Sequence, residues 1–84
     1  MEIVETSVFT DQIKRLLEDD PYKELQRRLA MDPLAGALIR GSGGLRKLRW
    51  TVRGRGKRGG IRVIYYYVAP DDRIWMLMAY AKTA

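Results

Sequence analysis

The sequence predicts an α+β domain: a small antiparallel β-sheet with two N-terminal helices packed on one face, in the order β-α-α-β-β-β. Three observations carry this expectation. Apolar residues recur at helical spacing as far as Asp32, the period changes to two from Leu45 onward, and glycine- or proline-bearing segments punctuate the change. The 84 residues are enough for one domain, spanning 1–84, and no internal repeat or linker divides them.

Residues 3–9 alternate loosely, with Ile3, Val8 and Phe9 apolar, and read as a first strand. Thr10 is placed to cap a helix, and Asp11 then falls in its first turn, where negative charge is favoured. Ile13, Leu16 and Leu17 mark one face of that helix. Asp20-Pro21 ends it and opens a second, because proline is accommodated at a helix start. Tyr22, Leu25 and Leu29 share a face of the second helix, which Asp32-Pro33 stops. Lys14, Arg15, Lys23, Arg27 and Arg28 fall mostly off these stripes and read as solvated. The run LAGALI, residues 34–39, is too short for a stable helix and reads as a buried connector with room for one helical turn. Gly41-Ser42-Gly43-Gly44 is a flexible joint.

Strand periodicity follows. Leu48, Trp50 and Val52 share one face, and Lys47, Arg49 and Thr51 the other. Over Gly60–Val68, Ile61, Val63, Tyr65 and Tyr67 oppose Arg62, Ile64, Tyr66 and Val68. Pro70-Asp71-Asp72 is a turn, with proline at a favoured position. Ile74–Ala81 is apolar on both faces, which predicts a central or well-covered strand.

Composition excludes several chemistries. The chain has no cysteine and no histidine, so disulfides, thiolate or imidazole metal ligation and Ser-His-Asp or Cys-His catalysis are absent. Acid–base work falls to Lys, Tyr, Asp or Glu. MEIVETSVFT is too short and acidic for a signal peptide, and no apolar run reaches bilayer length, so a cytoplasmic protein with no membrane partner is expected.

Charge is strongly segregated. Residues 1–39 carry five basic and eight acidic side chains, residues 40–62 carry nine basic and no acidic ones, and residues 63–84 carry two of each. The nine are Arg40, Arg46, Lys47, Arg49, Arg53, Arg55, Lys57, Arg58 and Arg62. Such a block predicts a cationic β-hairpin facing a polyanion. Gly54-Arg55-Gly56-Lys57-Arg58-Gly59 formally matches G-x-G-x-x-G, but a strand follows it and no βαβ unit surrounds it. Its glycines instead suit a wide loop carrying Arg55, Lys57 and Arg58 to nucleic-acid backbone, with Arg46 and Arg53 alongside. Lys47 and Arg49, with Arg62 on the neighbouring strand, form a candidate phosphate site, since converging cations are costly without an anion between them. Tyr66, on the Arg62 side, is placed to stack a base or handle a proton. Trp50 and Trp75 read as core.

The combination GLRKLRW, then KRGG-x-RV-x-YY, then a last strand ending AYAK, resembles the RelE/HigB superfamily of bacterial toxins, and within it the HigB-like branch. The resemblance runs from the acidic first strand to Lys82. It implies the RelE-like fold and an endoribonuclease that cuts mRNA in the ribosomal A site without metal. It also implies a cognate antitoxin protein, with operator DNA bound only through the toxin–antitoxin complex. In this family, sheet-borne Lys and Arg promote attack of the ribose 2′-hydroxyl on the adjacent phosphate, leaving a 2′,3′-cyclic phosphate. Carried over by position, Lys47 and Arg49 match the cations of the second strand and Arg62 the transition-state-stabilising arginine of the third. Lys57 and Arg58 match the basic loop that grips rRNA or mRNA, and Lys82 matches the lysine closing the last strand.

Relatives usually continue past that lysine into a charged, often helical tail, whereas here only Thr83 and Ala84 follow. Two other functions stay in view, the second of them because of this departure. ParE-like relatives share the fold and inhibit DNA gyrase without nuclease chemistry, and a catalytically weakened RNA-binding form is the other.

Overall fold

The computed structural model describes residues 1–51 and 60–82. Five strands and two helices follow one another as β1 (Glu2–Glu5), α1 (Ser7–Leu16), α2 (Asp19–Met31), β2 (Ala37–Leu38), β3 (Arg46–Trp50), β4 (Ile61–Val68) and β5 (Arg73–Ala81). The strands form one sheet in the order β1-β5-β4-β3-β2. This is the expected α+β fold, with both helices contributing to a single core on one side of the sheet.

The sheet is mixed rather than wholly antiparallel. β2–β3, β3–β4 and β4–β5 pair antiparallel, but β1 lies parallel to β5, with Ile3 opposite Ile74 and Glu5 opposite Met76. Most of the chain separates these two strands, which leaves ample length for the crossover that a parallel pair requires. The Met1 amine meets the Asp72 carboxylate at 3.1 Å and Arg73 meets Glu2 at 2.8 Å, fixing the β1 edge in register.

Helix α1 starts earlier than the capping pattern suggests. Thr6, not Thr10, is the N-cap, and its hydroxyl accepts the Phe9 N–H at 3.1 Å. The Thr10 hydroxyl donates instead to Glu5 at 2.6 Å, and Tyr22 also donates its phenol to that carboxylate. Phe9 therefore belongs to the inner face of α1 with Ile13, one turn apart, rather than to a strand. In α2, Leu25 and Leu29 are fully buried and Pro21 occupies the first turn, while Asp32 caps the end.

The core is built from these helix residues against Leu48, Ile61, Val63, Tyr65, Ile74, Met76 and Ala79. Tyr65 is its largest fully buried side chain. Its hydroxyl donates to the Pro33 carbonyl at 2.8 Å and accepts the Gly36 N–H at 2.9 Å. Gly36 has no room for a side chain, since a Cβ there would stand 2.9 Å from the Tyr65 ring. The segment 34–39 is thus not the buried connector expected. Leu34 and Leu38 are exposed, and Ala37–Leu38 add a two-residue edge strand opposite Arg46 and Lys47.

β5 contains a bulge. Ile64 pairs with Met78 but Tyr65 pairs with Met76, so Leu77 is an extra residue. The extra residue shifts the alternation by one and lets both Met76 and Ala79 point into the core. Beyond the end of β1, side chains from the helix side meet the backbone of β5 around the bulge. The Thr6 hydroxyl donates to the Leu77 carbonyl at 3.2 Å, and Gln12 Oε1 accepts the Ala79 N–H at 2.8 Å.

Candidate nucleic-acid interface

The helices cover only one side of the sheet, and the opposite face is open. Cross-strand partners share a face, so the register defines what this open side presents. Arg49 stands directly opposite Arg62, and Arg62 opposite Tyr80. Lys47 stands opposite Ile64, and Ile64 opposite Met78. Tyr66 stands opposite Trp75, which in turn lies opposite Val4 of β1. Three rungs thus cross the face, cationic towards the end marked by Trp50 and Ile61 and apolar further along.

Two of the expected catalytic cations, Arg49 and Arg62, occupy one rung, and Lys47 precedes Arg49 by two residues on the same strand, about 7 Å away. Lys82 follows β5, where its N–H donates to the Gly60 carbonyl at 3.2 Å, one step past the Arg62–Tyr80 rung. The sheet therefore brings all four to the same end. Like charges directly opposed across an antiparallel pair destabilise it. Among the described residues, no carboxylate pairs with any of the four, because both recorded ion pairs lie at the far end of β5. Among the described residues, Arg62 reaches the Ile61 carbonyl, at 3.4 Å.

Arg46 is not part of this group. It points to the helix side, where its guanidinium donates to the Gly36 carbonyl at 2.8 Å and the Leu34 carbonyl at 3.4 Å, tying down β2. Tyr66 is on the open face beside Gly44, whose φ of 119° suits glycine and where an added Cβ would stand 2.9 Å from Tyr66 Cε1. Arg53, Arg55, Lys57 and Arg58 lie outside the described residues.

Trp50 packs on the core as expected, but Trp75 does not. It is 36% exposed on the open face, with Met78 at 44% and Tyr80 at 39%. Met78 and Tyr80 escape sequence reasoning because the bulge at Leu77 breaks the period of two, whereas Trp75, ahead of the bulge, faces outward by simple alternation with Ile74 and Met76. A continuous strand would carry Met78 and Tyr80 inward with Ile74 and Met76. The surplus of apolar residues on both faces of Ile74–Ala81 was the available signal.

Chemically, the cationic rung is suited to a phosphodiester. Two guanidinium groups can donate several hydrogen bonds to its oxygens and counter charge that builds on them. Lysine amines and tyrosine phenols stand on the same face as the groups able to exchange a proton. No cluster of three or more His, Cys, Asp or Glu occurs among the described residues, and no helix among them is long and apolar enough to cross a membrane. Burial raises the pKa of Tyr65, and burial with the Glu5 hydrogen bond raises that of Tyr22, but both tyrosines serve the helix side.

No family model matches the sequence. Among solved structures, the fold is similar to a chain of the crystal structure of the intact Escherichia coli RelBE toxin–antitoxin complex, with a TM-score of 0.62 and 15% sequence identity. The match covers 99% of this chain and 95% of that one. The fold is RelE-like.

Proposed function

We propose that this protein is the toxin of a toxin–antitoxin pair, of the HigB-like kind, and that it cleaves mRNA in the ribosomal A site. The observation that carries the reading is the Arg49–Arg62 rung, flanked by Lys47 and Lys82 and without a carboxylate partner among the described residues. Opposed cations on an open face are stable in company with an anion, and a phosphodiester supplies one. The motif resemblance and the RelE-like fold support the same reading.

In this mechanism the ribose 2′-hydroxyl attacks the adjacent phosphorus and its proton passes to a lysine of the cluster that is in its neutral amine form, with Lys47 nearest the rung on its own strand. The 5′-oxygen of the next nucleotide leaves and takes up a proton from a lysine ammonium of the cluster, giving a 2′,3′-cyclic phosphate and a free 5′-hydroxyl. Arg62, with Arg49, offsets the charge gathering on the phosphoryl oxygens. No cofactor takes part. The antitoxin we assign is an acidic protein segment that masks the cationic face, and operator DNA is reached only through that complex.

Primer-extension mapping of an mRNA translated in vitro tests this. Cuts inside codons that require both ribosomes and this protein, and that disappear in Arg62→Ala, are the expected result. Intact mRNA at saturating protein refutes the cleavage.

A further inference from the structure

The cationic rung accounts for only one end of the open face. The other two rungs expose Met78, Trp75 and Tyr66, and Tyr80 closes the cationic rung itself, so four large side chains lie together on one solvent-facing surface. Isolated exposed apolar residues are ordinary, but a contiguous group marks a contact surface. Three of the four are aromatic, and they adjoin cations that lack carboxylate partners among the described residues.

We infer that Tyr80, Met78, Trp75 and Tyr66 form a stacking platform for the bases of single-stranded RNA whose phosphate sits between Arg49 and Arg62. The inference rests on the proposed function and adds the part of the substrate that the arginines do not read. Its basis is charge complementarity combined with geometry. Arg62 and Tyr66 are four residues apart on β4, about 13 Å, so a strand anchored by its phosphate at the first reaches the second after more than one nucleotide. Tyr80 stands on the Arg62 rung and meets the base next to the anchored phosphate, while Tyr66 and Trp75 meet a base further along. Bases offer their faces to such a surface only when unpaired, so a duplex would engage the cations but not the platform. Stacking of this kind tolerates any base, because each has a π-face.

The test is binding of a short single-stranded RNA, compared with the same sequence as a duplex and with inorganic polyphosphate. Tyr80→Ala and Trp75→Ala should each weaken single-stranded RNA binding by about 5- to 100-fold, leave polyphosphate binding unchanged, and be rescued by phenylalanine at the same position. Trp50 packs on the helix side, so in the wild-type protein tryptophan quenching by single-stranded RNA, absent with polyphosphate, reports Trp75 without any variant. Equal losses for RNA and polyphosphate, or no quenching and no loss for RNA, would overturn the platform. So would variants that keep RNA affinity but lose binding to a protein partner or to a second copy. A stacking signature with intact ribosomal mRNA refutes the cleavage and supports the platform; cleavage without the signature does the reverse.

Discussion

Replacing Arg62 with methionine keeps most of the aliphatic stem of a half-buried side chain and removes its charge. Because Arg62 lies directly opposite Arg49, the substitution should stabilise the protein while it abolishes function. Opposed residues have Cα atoms about 4.5–5.5 Å apart, which leaves two splayed guanidinium groups roughly 7 Å from one another. Repulsion at that distance is about 0.6 kcal/mol at the dielectric constant of water and about 2.4 kcal/mol at an effective value of 20. Arg49 is exposed, and physiological salt screens over about 8 Å, so the lower figure is closer and about 0.5 kcal/mol is expected. For a domain of this size that corresponds to a rise of about 2–4 °C in Tm. Thermal unfolding of wild type, Arg62→Met, Arg49→Met and the double variant forms a cycle that isolates the pair. The coupling should be repulsive at low salt and fade towards 1 M salt, where the screening length is about 3 Å. A lower Tm for Arg62→Met, or a gain indifferent to salt, would show that the two arginines do not strain the sheet and would remove the basis for an anion between them.

Substitutions at three further positions probe the packing behind the face. Gln12→Ala leaves the N–H of buried Ala79 without an acceptor and should cost about 1–3 kcal/mol, seen as a lower urea midpoint, with Gln12→Glu losing less. Tyr65→Phe removes both partners of its hydroxyl and strands the buried Gly36 N–H, for a similar cost of about 1–3 kcal/mol by the same measurement. Burial raises the pKa of Tyr22, further aided by Glu5, and burial raises that of Tyr65, so the folded state holds their protons more tightly than the unfolded chain. Their contribution is therefore complete below the unfolded value of about 10 and declines as pH rises above it. Unfolding free energy followed into alkaline solution should fall more steeply for wild type than for Tyr22→Phe.

Much of the cationic site was legible because period two is local. Alternation in RKLRW and in IRVIYYY is enough to set Lys47, Arg49 and Arg62 apart from Leu48, Ile61 and Val63, whatever the sheet does elsewhere. Register was not legible, because nothing within either strand specifies that Arg49 meets Arg62 rather than a neighbour two residues away. The start of α1 was misplaced because Thr6 and Thr10 are equally good caps in isolation. Tertiary structure decides between them by giving the Thr10 hydroxyl to Glu5. Arg46 was grouped with the binding cations on composition alone, whereas its face assigns it to the carbonyls of Leu34 and Gly36. The parallel pairing of β1 and the two-residue β2 are products of long-range closure, with no pattern of their own to announce them.

The division of labour between the two faces turns on the bulge at Leu77. On the helix side, Thr6 and Gln12 supply hydrogen bonds to the β5 backbone where β1 has ended, partnering the Leu77 carbonyl and the Ala79 N–H on either side of the irregular stretch. That satisfaction is what makes a shifted alternation tolerable, since an unpaired buried group would cost as much as the packing gained. On the open side, the same shift turns Met78 and Tyr80 outward, Tyr80 beside Arg62, to join Trp75, which lies ahead of the bulge opposite Tyr66. A straight β5 would give a conventional sheet with Tyr80 and Met78 on the helix side, and a cationic rung with no aromatic neighbour. Two polar side chains, Thr6 capping α1 and Gln12 within it, thus support the one extra residue in β5 that sets what surrounds the phosphate site.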